Sequence, residues 1–133
     1  MIKHLAVLNV LSATLIVVAG CTQGGPAQPT QTAAVPADVP ALSKLNGAWE
    51  GTGDGKGITA HIDIAADGTP DLVYQYPGES ATKLDCHADG KSVVCVHPNN
   101  RVSKFTARED GKVDFWSQNP QNGRIYTNVM AAQ

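Results

Sequence analysis

Seven turn signals follow one another between Asp54 and Gly123, and their spacing leaves room for little other than β-hairpins. Asp54-Gly55, Asp67-Gly68, Pro77-Gly78, Asp89-Gly90, Pro98-Asn99-Asn100, Asp110-Gly111 and Asn119-Pro120-Gln121-Asn122-Gly123 recur roughly every ten to thirteen residues. Glycine supplies the positive φ that tight turns need, and Asn and Asp side chains fold back onto the backbone, so such clusters between apolar runs mark chain reversals. Several intervals alternate with period two: Ile58, Ala60, Ile62 and Ile64 against Thr59, His61 and Asp63; Leu72, Tyr74 and Tyr76 against Val73 and Gln75; Val113 and Phe115 against Lys112 and Asp114. Alternation of this kind is a strand with one buried face. No interval is long enough for a crossover helix, which parallel pairing would require. The pattern predicts an all-β fold, an antiparallel up-and-down meander of about eight short strands, forming a small closed or nearly closed barrel that removes its own edges.

The start of the chain has a different composition. A lysine at position 3 precedes an apolar stretch from Leu5 to Val18, closed by Val18-Ala19-Gly20-Cys21. That stretch is shorter than the ~20 residues of a spanning helix and is interrupted by Asn9, Ser12 and Thr14. The segment resembles a bacterial lipoprotein signal ending in a lipobox. The resemblance implies cleavage after Gly20, lipidation of Cys21 and attachment to a bacterial membrane through the lipid anchor. In lipoproteins of this kind an aspartate after the cysteine favours the inner membrane. Thr22 stands there instead, which implies the outer membrane, facing the periplasm.

From Thr22 to Ala41, four prolines sit among Gln, Thr, Ala and Gly, with Asp38 the only charge. Such a composition buries too little to order itself and reads as a tether. Three segments follow: residues 1–20 as signal peptide, 21–41 as lipidated cysteine and disordered tether, and 42–133 as the barrel domain.

With Cys21 assigned to lipid, Cys86 and Cys95 remain as an even pair in an oxidising compartment, which predicts a disulfide. A two-residue Asp89-Gly90 turn would set Cys86 opposite Val93, whereas a four-residue loop from Asp89 to Ser92 sets it opposite Cys95. The bond therefore predicts the longer loop.

Leu45-Asn46-Gly47-Ala48-Trp49-Glu50-Gly51 resembles the GxW opening of the lipocalin-like, or calycin, barrels. The resemblance implies that Trp49 lies on the first strand and packs across one end of the barrel. A barrel this small can be filled by its own side chains. Trp49, Ile62, Leu72, Tyr74, Leu84, Phe105, Val113, Phe115 and Ile125 are the predicted interior, and their bulk argues against a small-molecule ligand.

No catalytic pattern stands out. Gly51 to Gly57 is glycine-rich but lacks phosphate-loop spacing, and the hydroxyl after Lys56 is missing. Asp63, Asp67 and Asp71 bracket a turn without EF-hand spacing. His61, His87 and His97 share no ligand spacing and are expected to face solvent. Ser43, Ser80, Ser92, Ser103 and Ser117 occur in no nucleophile context. No enzyme activity, metal or cofactor is expected. The ten basic residues fall to nine once Lys3 leaves with the signal, against twelve acidic ones, which excludes generic nucleic-acid binding. Acidic residues concentrate between Leu42 and Thr82, so one side of the meander is expected to be acidic and able to steer a basic partner.

The expected function is therefore that of an envelope binding module with a protein partner, of the inhibitor or immunity type. A structural role in an envelope complex is the alternative, and a small hydrophobic-ligand carrier is the third reading. Trp116, Arg124 and Tyr126 are the candidate contact residues, because Trp, Tyr and Arg are enriched at binding hot spots.

Overall fold

The period-two patterns become nine antiparallel strands in a computed structural model that describes residues 35–133. They are β1 Gly47–Gly51, β2 Thr59–Ile64, β3 Pro70–Gln75, β4 Thr82–Lys83, β5 Asp85–Asp89, β6 Ser92–Val96, β7 Val102–Ala107, β8 Val113–Gln118 and β9 Ile125–Ala132. The sheet runs β4-β3-β2-β1-β9-β8-β7-β6-β5. First and last strands thus pair, with Trp49 opposite Ala132, and the one break in the ring falls between β4 and β5. That seam is narrow. Leu84 joins its two edges, donates its N–H to Leu72 O at 3.0 Å and buries its side chain. The result is a nearly closed barrel, and its short edge strands leave little unpaired backbone.

The strand beyond the expected eight is β4. It has only two residues and is separated from β5 by Leu84 alone, with no turn signal between them. Elsewhere alternation holds. Leu72 and Tyr74 on β3, Val93 and Cys95 on β6, Phe105 on β7, and Val113 and Phe115 on β8 all point inward. Fully burying an aliphatic or aromatic side chain of this size contributes about 1.5–3 kcal/mol each. Ile125 corrects the predicted interior: it is 56% exposed, because its pairing with Gln118 puts it on the face opposite Ser117 and Tyr126.

One end of the barrel is stoppered. A short helix, α1 (Val39–Leu42), runs into a 3-10 turn, Ser43–Leu45. Asp38 caps the helix by accepting from Ala41 N at 3.2 Å, with proline at its start where a missing N–H costs nothing. Leu42 and Leu45 are fully buried, and Trp49 donates its indole N–H to Leu45 O at 2.7 Å. Ahead of the helix, Asp38 N donates to Gly90 O at 2.8 Å in the β5–β6 turn. Part of the segment that composition gives to the tether therefore touches the barrel.

Cys86 and Cys95 stand opposite one another and are disulfide-bonded. The register is the expected one, but the loop is shorter. The ladder continues to Asp89 opposite Ser92 and leaves Gly90-Lys91 as a two-residue turn. Gly90 has φ 60 and Lys91 does not share the positive φ, the arrangement of a type II′ turn.

Candidate functional site

The end opposite the stopper is open. The β1–β2, β3–β4, β6–β7 and β8–β9 loops surround two adjoining hollows, of about 470 and 430 Å³. Tyr74, Tyr76 and Arg101 belong to both and form the ridge between them. The larger hollow is floored by Phe115 and Ser117 and rimmed by Asp54, Asn122, Arg124 and Tyr126. Its size is that of a site for a small molecule or for a few residues of a peptide. Below it the barrel is filled, with Phe105 fully buried and its ring 5.1 Å from that of Phe115.

Aromatic rings carry this packing up to the mouth. Tyr74 stacks on Phe115 at 6.0 Å, Tyr126 meets Phe115 edge-on at 6.1 Å, and Tyr74 meets His97 edge-on at 5.0 Å. Burial pushes the Tyr74 phenol up to about 12, and burial also raises that of Tyr126, so both hydroxyls are protonated donors at neutral pH.

A polar chain crosses the wall beneath the ridge. His97, expected to face solvent, is buried: it continues the inward series Val93, Cys95, one step past the end of β6. Its Nε2 lies 2.7 Å from Ser103 Oγ, and Ser103 donates to Ser117 Oγ at 3.2 Å. A hydroxyl has one proton, so the His97 Nε2–H is the donor to Ser103, and the Ser117 proton is left to point toward the larger hollow. Burial, and after it the Arg101 charge, lowers the His97 imidazole to about 4, so it is neutral at physiological pH.

The two arginines are set by one local motif. In Asn99-Asn100-Arg101 and Asn122-Gly123-Arg124 the first Asn Oδ1 accepts from the arginine N–H, at 3.1 and 2.9 Å. The middle residue takes φ 65 in one and φ 68 in the other. Each arginine carbonyl closes its loop by accepting from His97 N or Asn119 N at 2.9 Å. Among the described residues, neither guanidinium has a carboxylate within 4.0 Å or donates a hydrogen bond to the protein.

Of the residues singled out from sequence, Arg124 and Tyr126 meet at this mouth. Trp116 does not. On β8 it points outward, between Lys104 on β7 and Thr127 on β9, beside a shallow depression with Asp114 and Val129. Cys86 and Cys95 lie on the wall, and Cys21 lies outside the described residues. Sequence reasoning missed Arg101, Tyr74, Tyr76 and His97 as mouth residues. The repeated Asn-x-Arg turn was the signal that could have found the first. Compared with known proteins, the sequence matches no family model and no curated protein.

Proposed function

We propose that this protein is a non-enzymatic binding module of the bacterial envelope, lipid-anchored at Cys21 in the outer membrane and facing the periplasm, and built on a lipocalin-like barrel that takes its partner at the open end. The observation that carries this reading is the mouth itself: three tyrosines and two arginines without ion partners converge on an open hollow above a filled core. Aromatic and arginine side chains presented by loops on a rigid scaffold are the usual material of binding hot spots. The filled interior weighs against a carrier that encloses a hydrophobic ligand. An assembly role, docking through the outer wall, draws on the depression beside Trp116.

Capture of envelope proteins by the full chain, solubilised from membranes in mild detergent, separates the two. Loss of capture in Arg124→Ala and Tyr126→Ala with Trp116→Ala unaffected supports the mouth, whereas the converse supports the wall. Mass spectrometry of the mature protein tests the anchor: an unmodified terminus would reject it, and Cys21→Ala is expected to abolish membrane retention.

A further inference from the structure

We infer that the open end recognises a carboxylate monoanion carried on a short apolar or aromatic stem, held between the guanidinium groups of Arg101 and Arg124. The inference rests on the binding reading above and names the group that would be bound.

Three independent observations converge on it. First, Arg101 and Arg124 both line the larger hollow and, among the described residues, neither has a carboxylate within 4.0 Å; Arg101 is half-buried beside Tyr74 and Arg124 is exposed at the rim. A half-buried arginine with no anion, next to a second at the rim, offers bidentate recognition to a carboxylate.

Second, several side chains that line the hollow have a donor to offer an anion. Ser117 has its proton free, because Ser103 donates to it. The Oδ1 atoms of Asn119 and Asn122 already accept from Gln121 N and Arg124 N at 2.9 Å, which leaves their amide groups to donate. The Tyr74 and Tyr126 hydroxyls stay protonated. Asp54 is the one carboxylate that lines this hollow, and Glu79 lines only the second. Two guanidinium groups against Asp54 leave one net positive charge, which a carboxylate balances and a phosphate dianion exceeds.

Third, the two ends of the barrel use the same turn chemistry with a different first residue, Asp at the stoppered end and Asn at the mouth. At the stoppered end, Asp67-Gly68-Thr69 and Asp110-Gly111-Lys112 make the turn in which Oδ1 accepts from the third residue, at 2.9 and 3.1 Å. At the mouth the turns are Asn99-Asn100-Arg101, Asn119-Pro120-Gln121 and Asn122-Gly123-Arg124, two of which end in arginine. Asp and Asn serve such a turn equally well, so turn formation does not account for an uncharged Asn at all three mouth positions beside the two arginines. An anion there does. Ile58, Phe115 and the Tyr126 ring supply the apolar wall on which the stem would lie.

The carboxylate has two sources, a free organic acid or the end of a peptide. The test uses phenylacetate for the first and acetyl-Ala-Phe with a free terminus for the second, each beside its amide. Binding to the full chain in neutral detergent is followed by NMR shifts of Ser117, Arg101 and Arg124. At least one acid is expected to bind tenfold or more tightly than its amide, and the tighter acid identifies the source. Arg101→Gln and Arg124→Gln are each expected to weaken it about tenfold while thermal unfolding is unchanged, and Trp116→Ala to leave it as it was. Acid and amide binding equally would overturn the carboxylate assignment and leave the binding reading standing. So would failure of both acids to bind while Arg101→Gln still abolished partner capture. Failure of both acids together with intact capture in the arginine variants would remove both readings.

Discussion

The imidazole of His97 stands 2.7 Å from the hydroxyl of Ser103, inside the wall that separates the two hollows of the barrel mouth. The contact joins a ring that lines one hollow to Ser117, which lines the other, through a serine with no exposed surface. A buried polar chain of this kind is stable only while each member is satisfied and uncharged. The groups around the ring enforce that state, since Arg101 is the charge that acts on it and Tyr74 covers its edge.

Protonation of His97 should therefore destabilise the barrel from the acid side. The unfolded imidazole titrates near 6.5 and the folded one at about 4, so the unfolded chain binds more protons between those values. The stabilisation from a neutral His97 is complete above pH 6.5 and is lost as the pH falls toward 4. Between pH 7 and 4.5 this amounts to at most about 2 kcal/mol, and to less where water in the second hollow, which the ring lines, screens the charge. Urea unfolding across that range should show the loss in the wild type and a flatter profile in His97→Gln. Parallel profiles would remove His97 from the account.

The Cys86–Cys95 bond closes a short ring across a hairpin that already pairs, so its removal should weaken the barrel without changing it. The chain-entropy model gives about 2–3 kcal/mol as an upper figure for so small a loop. Reduction should lower the midpoint of thermal unfolding and leave the far-ultraviolet circular dichroism intact. A reduced protein that loses its β signal at room temperature would show the bond to be a condition of folding rather than a staple.

The stopper can be tested at Leu42, which is fully buried at the foot of the barrel. Leu42→Ala should cost about 3 kcal/mol, the range of leucine truncations in closed cores. Val39→Ala, one turn earlier and only half-buried, should cost less than 1 kcal/mol. Equal small losses from equilibrium denaturation would mean that the helix rests on the barrel without sealing it.

How much of this the sequence made legible follows from how local each feature is. Asp-Gly and Asn-Gly turns are decided within a few residues, so the meander and the Cys86–Cys95 register could be read directly. β4 could not, because Thr82-Lys83 departs from β5 at Leu84 with no turn residue to mark it. The stopper was hidden for a related reason: one turn of helix carries no periodicity, and Leu42 and Leu45 follow a proline-rich stretch. At the mouth, Arg124 and Tyr126 were legible as residue types. Separating them from Trp116 required the β8–β9 register, since Ser117 opposite Tyr126 puts Tyr126 inside and its neighbour pairing puts Trp116 outside. His97 was within reach, because Val93, Cys95 and His97 alternate inward. Its polarity suggested the solvent, and only the Ser103 partner across the sheet reverses that inference.

A final test concerns how the open end keeps its shape. The Asn128 side chain grips the β1–β2 loop by both ends of its amide, with Oδ1 accepting from Thr52 N at 3.0 Å and Nδ2 donating to Thr52 O at 2.9 Å. Gly55, in the same loop, lies so close that a methyl group on it would stand 2.5 Å from the Asn128 Cγ. Gly55→Ala should therefore cost about 1–3 kcal/mol by overpacking against a side chain that cannot swing away without breaking both bonds. Asn128→Ala should cost about 1–2 kcal/mol through the lost pair. With Asn128 gone the added methyl has room, so the double variant should be destabilised by clearly less than the sum of the two, a coupling of at least about 1 kcal/mol. Strict additivity in urea denaturation would show that Gly55 is held by the backbone of the loop and not by the Asn128 amide.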